Sequence, residues 1–343
     1  MSELLLLPYD GPSHRYWANQ KLLEKKGSKL ITLPGRHWKW RMHGAASYFS
    51  KYLEEISAEP FKKIITTSML NLVELKGLLA KSYQHLPIHI YFHENQFAYP
   101  VGANDPDKNS KRLEHYQFIQ IMSFIYADEV FFNSEYNRKT FIKGATSLLS
   151  KLPDFKEHLE IGLNRRTNLF KIFFNKSDFN LTKKKNTPEI FFVWNHRWED
   201  DKNPRDFFKF LKFIKKDQIK FKLIILGKET HHEEFKKAKL DFKDQIHHWG
   251  EVKERKKYLR LLSLATHTII TSNHDFFGLS ALECVLSEVK TVFPKRLCYH
   301  EHFSDNEWKL ISYDNFREAK ERLFFKEIPT WSLKESILKK YTL

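Results

Sequence analysis

Cysteine is almost absent from this chain. Its 343 residues include only Cys284 and Cys298, without the paired spacing of a metal site. Two isolated cysteines argue against a disulfide framework or a zinc site, and they are typical of a reducing compartment. Long apolar runs are also absent, and the first residues, MSELLLLPYD, lack the basic segment of a secretory signal. We therefore expect a soluble, cytoplasmic protein without a membrane span.

Positive charge, by contrast, is in excess. The formal net charge is +16, from 58 lysines and arginines against 42 acidic residues. Such an excess is typical of proteins that bind a polyanion, either nucleic acid or an anionic membrane surface. The alternative is a basic enzyme with lysine-rich usage, and the lysines do lie in dispersed groups. Charge alone leaves the partner open.

Short apolar runs alternate with helical patterns along both halves of the chain. This alternation predicts parallel sheets covered by helices on both faces. The predicted strands are residues 4–7, 30–33, 63–69, 88–92 and 129–133, then 189–194, 221–226, 267–271 and 290–293. Between the halves, residues 175–188 are polar, charged and closed by a proline, which is linker composition. We predict two doubly wound α/β domains, residues 1–180 and 181–343.

The segment HDFFGLSALE, residues 274–283, combines two carboxylates with a glycine turn. Asp275 and Glu283 are eight positions apart, and Gly278 lies between a predicted strand and a predicted helix. A strand, a tight loop and a helix start can hold phosphate on backbone N–H groups. A carboxylate on each side suits a sugar and a ribose, so the segment predicts a nucleotide-sugar site. The alternative is that Asp275 caps the helix and Glu283 is a solvated helix residue.

A second cluster follows the predicted strand EIFFVW. It starts at Asn195 and contains Arg197 and Lys202, before Asn203 and Pro204 form a typical helix start. Doubly wound sheets bind ligands at the carboxyl ends of their strands. Two cations there suit a diphosphate, because arginine can bind it in a bidentate manner and lysine adds a point charge. Both cations are expected to lie in a loop.

Several longer segments carry a family resemblance. They are LPYDGPSHRYW, LPGRHWKWRMHGAASYFS, TTSMLNLVEL, YFHENQFAYP, FFNSEYN and WNHRWEDDKNP. Together with the Arg197 and Lys202 pair and the acid-x7-acid segment, they resemble the family-four retaining glycosyltransferases of GT-B fold. Within these, they are similar to the tRNA-queuosine mannosyltransferases. The resemblance extends over residues 4–294, and HWKWR, FHENQ and WNHRWE are far more specific than the acid-x7-acid pattern.

The resemblance implies a fold and an activity. The fold is α/β with GT-B architecture, in which two Rossmann-like domains face each other across a cleft and the last helix can cross back to the first domain. The activity is a retaining transfer of mannose from GDP-mannose to queuosine at anticodon position 34 of tRNA-Asp. No metal and no other cofactor is expected. The expected partners are a queuosine-carrying tRNA and a nucleotide sugar, with no integral membrane association.

The resemblance also implies which residues act. The implied catalytic residues are His93, Arg197, Lys202 and Asp275. The implied donor-binding residues are Gly11, Ser13, His14, Asn133, Asn195, Phe277, Gly278, Leu279 and Glu283. The two cations would neutralise the diphosphate, Glu283 would hold the ribose hydroxyls, and Asp275 would hold the 3- and 4-hydroxyls of the sugar. Asp275 stands where relatives usually carry glutamate, which reaches about 1.5 Å further.

The first half would supply the remaining contacts. His93 follows a predicted strand and would position the mannose. Gly11 and Ser13 lie where the first strand gives way to a helix, a place where the backbone can approach the donor phosphate. Pro12 departs from the second glycine that relatives often carry in this loop, and it removes an N–H group.

One aromatic and basic segment is the best local candidate for contacts with nucleic acid. It comprises Arg36, Trp38, Lys39, Trp40 and Arg41. Such side chains stack on splayed bases or contact phosphates. The alternative is a loop whose tryptophans pack on the domain while its cations are solvated.

Two other functions remain open. A glycosyltransferase of a lipid or cell-envelope glycan would use the same donor site and meet anionic lipid with its basic charge. The second is a catalytically inactive tRNA-binding protein. The retained Arg197, Lys202 and Glu283 argue against inactivity.

Overall fold

The structure, a computed structural model, describes residues 2–24, 26–56, 61–100, 112–154, 156–179 and 189–342. The chain divides into two compact units, Met1–Ile172 and Phe173–Leu343. The predicted boundary between residues 180 and 181 lies outside the described residues, as does most of the predicted linker. The described part of that linker contains a 3-10 helix, Lys176–Phe179, in which the Phe179 side chain is buried.

The first unit contains a parallel sheet and seven described helices. The strands are β1 (Ser2–Asp10), β2 (Lys29–Pro34), β3 (Phe61–Thr67), β4 (Ile88–Phe92), β5 (Glu129–Phe132) and β6 (Asn168–Leu169). The helices are α1 (Pro12–Glu24), α2 (Trp38–Glu54), α3 (Leu72–Leu78), α4 (Lys81–Gln84), α5 (Arg112–Tyr126), α6 (Glu135–Leu149) and α7 (Glu157–Leu163). The strands pair in the order β2-β1-β3-β4-β5-β6, all in parallel.

The four leucines of β1 show that this sheet is covered on both faces. Successive side chains of a strand point to opposite faces. Leu4 and Leu6 belong to the large core that includes side chains of α2, α5 and α6. Leu5 and Leu7 belong to a smaller core around Trp17 of α1. Since each buried leucine contributes roughly 1.5–3 kcal/mol, this short run holds both helical layers on the sheet.

The second unit repeats this plan. Its strands are β7 (Phe191–Trp194), β8 (Lys222–Leu226), β9 (Ile246–Gly250), β10 (His267–Ile269), β11 (Lys290–Pro294) and β12 (Ser312–Tyr313). Its helices are α8 (Pro204–Lys216), α9 (Glu233–Asp241), α10 (Arg255–Leu264), α11 (Leu279–Leu286), α12 (Asp305–Ile311), α13 (Phe316–Phe325) and α14 (Thr330–Tyr341). The strands pair in parallel in the order β12-β11-β10-β7-β8-β9. The last helix, α14, packs against α11.

The strand order reverses once in each sheet. In the first sheet, β1 lies between β2 and β3, and in the second, β7 lies between β8 and β10. Doubly wound sheets bind ligands at the carboxyl ends of the strands beside such a reversal, because the connecting helices leave a crevice there. The topology therefore predicts ligand binding at the carboxyl ends of β1 and β3 in one unit, and of β7 and β10 in the other.

The two predicted doubly wound α/β units are confirmed, as are the nine predicted strands. Three further strands, β6, β9 and β12, were not predicted, and all three lie at sheet edges. Within the described ranges, no helix has the length and apolar character needed to cross a membrane.

Candidate active site

The loop after β7 leads into α8 through a short 3-10 helix, Asp200–Lys202. Asn203 adopts a left-handed conformation with φ of 54°, and its side chain accepts from the N–H of Asp206, while Pro204 is the first residue of α8. The predicted helix start is therefore confirmed. The N–H of Asn273 donates to the carbonyl of Asp201 at 2.8 Å. This bond joins the loop after β7 to the loop after β10.

Lys202 is buried and paired with carboxylates. Its Nζ donates to Oδ1 of Asp275 at 2.9 Å and to the carbonyl oxygen of His274 at 2.7 Å. Oδ2 of Asp201 lies 3.2 Å from the same nitrogen. Burial would lower the pKa of Lys202, but Asp275 and Asp201 raise it above its ordinary value. Lys202 lies in the predicted connection between β7 and α8, as the last residue of its 3-10 helix. The two acids stabilise its ammonium inside the unit, which the prediction did not include.

Asp275 is fixed through both carboxylate oxygens. Oδ1 accepts from Lys202, and Oδ2 accepts from the hydroxyl of Tyr299 at 2.5 Å. Burial would raise the pKa of Asp275, but Lys202, His196 and the two hydrogen bonds lower it to about 2. The alternative that Asp275 caps the following helix was wrong, because Gly278 occupies the cap position of α11. Asp275 is thus an ionised, largely buried group beside the strand reversal.

The glycine loop before α11 is tightly packed. Gly278 has φ of 76°, and a Cβ at this residue would lie 2.7 Å from the ring of Tyr299. Leu279 is the first residue of α11, and the side chain of Phe277 is buried. Nε2 of His302 lies 2.7 Å from the carbonyl oxygen of Phe277, to which it must donate, because a carbonyl only accepts. This bond and the missing Cβ set the path of the loop.

Glu283 is buried and bound by two side chains of α10. Its Oε1 accepts from Nη1 of Arg255 at 2.5 Å, and its Oε2 accepts from the hydroxyl of Tyr258 at 2.5 Å. The alternative that Glu283 is a solvated helix residue was therefore wrong. Burial raises the pKa of Tyr258 well above its ordinary value, and Glu283 adds to this effect, so the phenol stays protonated and donates.

Asn195 and His196 connect the end of β7 to α11. Nδ2 of Asn195 donates to the carbonyl of Ser280 at 2.7 Å and to the hydroxyl of Tyr258 at 3.1 Å. Nδ1 of His196 lies 2.7 Å from Oγ of Ser280. The predicted donor-binding Asn195 thus contacts the first turn of α11 and the tyrosine that holds Glu283.

Arg197 lies at the edge of this cluster with its side chain half exposed. Its guanidinium pairs with Glu199 at 2.8 Å and with Asp201 at 3.3 Å. Asp201 also faces Lys202, so the two predicted cations share one carboxylate. Within the second unit, the structure therefore brings together the predicted residues Asn195, Arg197, Lys202, Asp275, Phe277, Gly278, Leu279 and Glu283. Among the described residues, no group of three or more His, Cys, Asp or Glu side chains is arranged to hold a metal ion.

In the first unit, His93 is buried at the carboxyl end of β4. Its ring packs against His14, with ring centroids 4.0 Å apart, and against Trp17 and Tyr91. Burial lowers the pKa of His93 well below its ordinary value, and His14 lowers it further. Nε2 of His93 has no hydrogen-bond partner within the part of the chain that the structure describes. A neutral imidazole with an open ring nitrogen can bond to a substrate hydroxyl.

The other predicted residues of this unit, Gly11, Ser13 and Asn133, differ in how closely they contact His93 and His14. Asn133 follows β5, and its Nδ2 donates to the carbonyl of His93 at 2.8 Å. Gly11 joins β1 to α1, and a Cβ there would lie 2.9 Å from the ring of Tyr9 and 3.3 Å from Nδ1 of His14. Ser13 is exposed in the first turn of α1. Asn133 therefore orients the backbone of His93, and Gly11 leaves room beside His14.

The aromatic and basic segment forms the start of α2. The residues Trp38, Lys39, Trp40 and Arg41 lie in its first turn, and Arg36 is exposed just before it. The loop alternative was therefore wrong about the secondary structure. The ring of Trp38 packs edge-on against Tyr116, with centroids 5.3 Å apart, whereas Trp40 is 63% exposed. One tryptophan supports the unit and the other is open to a partner.

Several residues of these clusters were not predicted from the sequence, among them His196, Arg255, Tyr258, Tyr299 and His302. Tyr299 and His302 follow β11, the neighbour of β10, so their position after a predicted strand could have indicated them. Arg255 and Tyr258 begin the helix after β9, which was not predicted. Their spacing of three places them on one helix face. That face indicates a site only if β9 is recognised as the strand before the helix.

Two family models match the chain. The model described as tRNA-queuosine alpha-mannosyltransferase N-terminal matches residues 2–168, and the model described as Glycosyl transferases group 1 matches residues 173–320. A curated relative from Drosophila melanogaster, named tRNA-queuosine alpha-mannosyltransferase, is 30% identical over 312 residues. The match covers 87% of this chain and 80% of the relative.

Solved structures share the fold. A sucrose-phosphate synthase from Thermosynechococcus elongatus has a TM-score of 0.68 at 11% identity, covering 100% of this chain and 95% of that one. A UDP-forming alpha,alpha-trehalose-phosphate synthase from Burkholderia xenovorans has a TM-score of 0.65 at 12% identity, covering 99% and 97%. At such identity the likeness concerns the fold alone. It confirms the predicted GT-B architecture.

Proposed function

This chain belongs to the tRNA-queuosine alpha-mannosyltransferase family, and from that premise we propose that it transfers mannose from GDP-mannose to queuosine at position 34 of tRNA-Asp. The chain is a glycosyltransferase. The proposed transfer retains the configuration at the anomeric carbon. The proposed location is the cytoplasm, where tRNA and nucleotide sugars are both present.

One observation carries the donor half of this proposal, namely a charged Lys202 bound to an ionised Asp275 at the strand reversal of the second sheet. Opposite charges attract more strongly in a buried site than in water, so a diphosphate there gains more from Lys202 than from a surface lysine. The contact with Asp201 is the longest of the three that Lys202 makes. A phosphoryl oxygen can replace it, because Arg197 also pairs with Asp201.

The same cations support the chemical step. When the bond between the anomeric carbon and the phosphate oxygen breaks, negative charge grows on the leaving diphosphate. Lys202 and Arg197 stabilise that charge, and a fixed donor of this kind contributes about 10²–10³ in rate. The acceptor hydroxyl forms the new bond on the same face of the sugar and passes its proton to the departing phosphoryl oxygen. The proposed reaction therefore requires no dedicated protein base.

The two carboxylates are assigned to different parts of the donor. Asp275 remains ionised with its oxygens held by Lys202 and Tyr299, so it presents fixed acceptors to the 3- and 4-hydroxyls of the sugar. Glu283 is assigned to the ribose. In the structure its oxygens are bound by Arg255 and Tyr258, so ribose hydroxyls would share or replace these two donors.

The acceptor half is supported by charge and by one exposed ring. A net charge of +16 suits a polyanion such as tRNA. Reaching a single modified base requires splaying it from the stack of the anticodon loop, and an exposed aromatic ring such as Trp40 can replace the lost stacking. His93, with its open ring nitrogen, is assigned to the mannose.

Mass analysis of tRNA nucleosides tests the proposal. The protein is incubated with GDP-mannose and queuosine-containing tRNA, and the tRNA is digested to nucleosides and weighed. We expect queuosine to gain one hexose, with no gain on the same tRNA carrying guanosine at position 34 and much less with UDP-glucose as donor. Transfer of hexose to a lipid extract, but not to tRNA, would replace this proposal by the lipid-glycan function.

A further inference from the structure

His196 lies in the donor cluster, between the end of β7 and the start of α11. It is the second residue after β7, and its Nδ1 lies 2.7 Å from Oγ of Ser280 in the first turn of α11. Asp275, Lys202 and Arg197 all act electrostatically on its imidazole. The ring thus lies within electrostatic reach of the residues assigned to the sugar and the diphosphate, and it packs edge-on with Trp194.

The other ring nitrogen of His196 is buried without a hydrogen bond. The residue is 5% exposed, and Nε2 finds no partner within the described ranges. Lys202 does not fill this gap, since its bonds go to Asp275 and to the carbonyl of His274. Buried polar groups in native proteins nearly always have a partner, and an exception indicates a place for a ligand or a water molecule.

We propose that His196 is a donor-binding residue whose Nε2–H donates a hydrogen bond to a phosphoryl oxygen of the nucleotide sugar, while the hydroxyl of Ser280 donates to Nδ1. A neutral imidazole has one N–H, and the nitrogen that accepts decides which one carries it. The hydroxyl of Ser280 therefore sets the tautomer by donating to Nδ1. The inference rests on the proposed use of a nucleotide-sugar donor.

Two further features favour this role over that of an acid or a base. Burial lowers the pKa of His196 to about 4, although Asp275 opposes the shift, so the ring is neutral at physiological pH. A phosphoryl oxygen only accepts hydrogen bonds, so it suits an N–H group that has no acceptor in the protein. Gly278 is the N-cap of α11 and Ser280 lies in its first turn, and the positive end of this helix favours an anion at the same place.

Matched amide variants test which ring nitrogen matters. In side-chain geometry, the amide nitrogen of glutamine can take the place of Nε2, whereas that of asparagine takes the place of Nδ1. His196→Gln should therefore keep affinity for GDP near that of wild type. His196→Asn and His196→Phe should lower it about 10- to 100-fold, the usual scale for a hydrogen bond to a charged group. Binding is measured by calorimetry, and folding is checked by thermal melting.

A second buried histidine supplies the control. His267 is the first residue of β10, so it lies at the amino end of the strand, opposite the carboxyl end where the donor cluster lies. Its buried ring stacks on Phe324. His267→Gln should leave affinity for GDP unchanged. If His196→Phe does not fold, the comparison of the glutamine and asparagine variants carries the test by itself.

The outcomes separate this inference from the proposed function. Loss of GDP affinity in the asparagine variant, with recovery in the glutamine variant, would support the assignment of Nε2. Equal affinity in all variants would overturn it, and Nε2 would then be satisfied by water. An equal loss in the glutamine and asparagine variants would also overturn it. Absence of GDP binding to the wild-type protein would instead count against the proposed donor.

Discussion

Replacing Lys202 by methionine removes a buried charge while keeping a side chain of similar length. Asp275 and Asp201 then remain in the unit without their ammonium partner. Breaking one partner of a buried ion pair destabilises a protein by about 3–5 kcal/mol, because the other charge stays buried. We therefore expect Lys202→Met to lower the free energy of unfolding by roughly this amount, and to slow the chemical step by about 10²–10³.

The pH dependence of the free energy of unfolding provides a second measurement of the effect of Lys202→Met. In the wild type, the pKa of Asp275 is depressed to about 2, so its ionised form contributes roughly 2 kcal/mol. That contribution is present above the ordinary pKa of the carboxyl and is lost as pH falls toward 2. Without Lys202, burial favours the neutral carboxyl and raises its pKa. The stability deficit of Lys202→Met should therefore narrow as pH falls from 7 toward 3.

A double variant separates stability from catalysis. Asp201 still pairs with Arg197, so Lys202→Met leaves Asp275 as the carboxylate without a cation. Adding Asp275→Asn removes that charge, so most of the lost stability should return while turnover stays low. Unfolding by urea, followed through tryptophan fluorescence, gives the free energies at each pH, and hexose transfer gives the rates. The reasoning is refuted if Lys202→Met is as stable as wild type, or if the double variant is no more stable than the single one.

The other assigned residues lead to distinct outcomes. Arg197→Ala should slow the chemical step by about 10²–10³ yet change the free energy of unfolding by no more than about 0.5 kcal/mol, since the side chain is half exposed; unchanged turnover would contradict its role. In calorimetry, Glu283→Gln should weaken GDP binding, whereas Asp275→Asn should leave GDP affinity intact and reduce turnover; the opposite pattern would mean that their roles are exchanged. Trp40→Ala should impair transfer to tRNA while leaving donor hydrolysis by water and the melting temperature unchanged, whereas Trp38→Ala should lower the melting temperature. A tRNA affinity that does not fall with salt would count against phosphate contacts.

The sequence predicts strands well where both faces of the strand are buried. The four leucines of β1 and all of β7 are continuous apolar runs, and such runs have few interpretations other than a central parallel strand. β9, with the sequence IHHWG, lies at a sheet edge and has neither a continuous apolar run nor a regular alternation of polar and apolar residues, so its pattern is weaker. β6 and β12 have two residues each and leave no periodic pattern. An edge strand forms because it pairs with a neighbouring strand, and the local sequence pattern contains no information about that neighbour.

The site residues can also be divided into those that the sequence predicts and those that it does not. Strand ends and glycine turns indicated Asn195, Lys202 and Asp275, because the ends of parallel strands meet at one edge of a sheet. The burial of Lys202 was not predictable, since it depends on acids brought close by the fold. The donors that hold Glu283 come from α10, which is distant in sequence and follows an unpredicted strand. Motifs thus identify the reactive groups, whereas tertiary structure selects their partners.

The contact between Gly278 and Tyr299 limits the order in which this site can evolve. The ring of Tyr299 fills the space that a Cβ at residue 278 would need, and its hydroxyl is bonded to Asp275. A glutamate at residue 275 would extend about 1.5 Å further, into the place of that hydroxyl. We therefore expect an exchange of aspartate for glutamate here to be tolerated best when residue 299 changes as well. Residues 275, 278 and 299 are thus coupled by epistasis, because the side chain at each position restricts the side chains that the other two can carry.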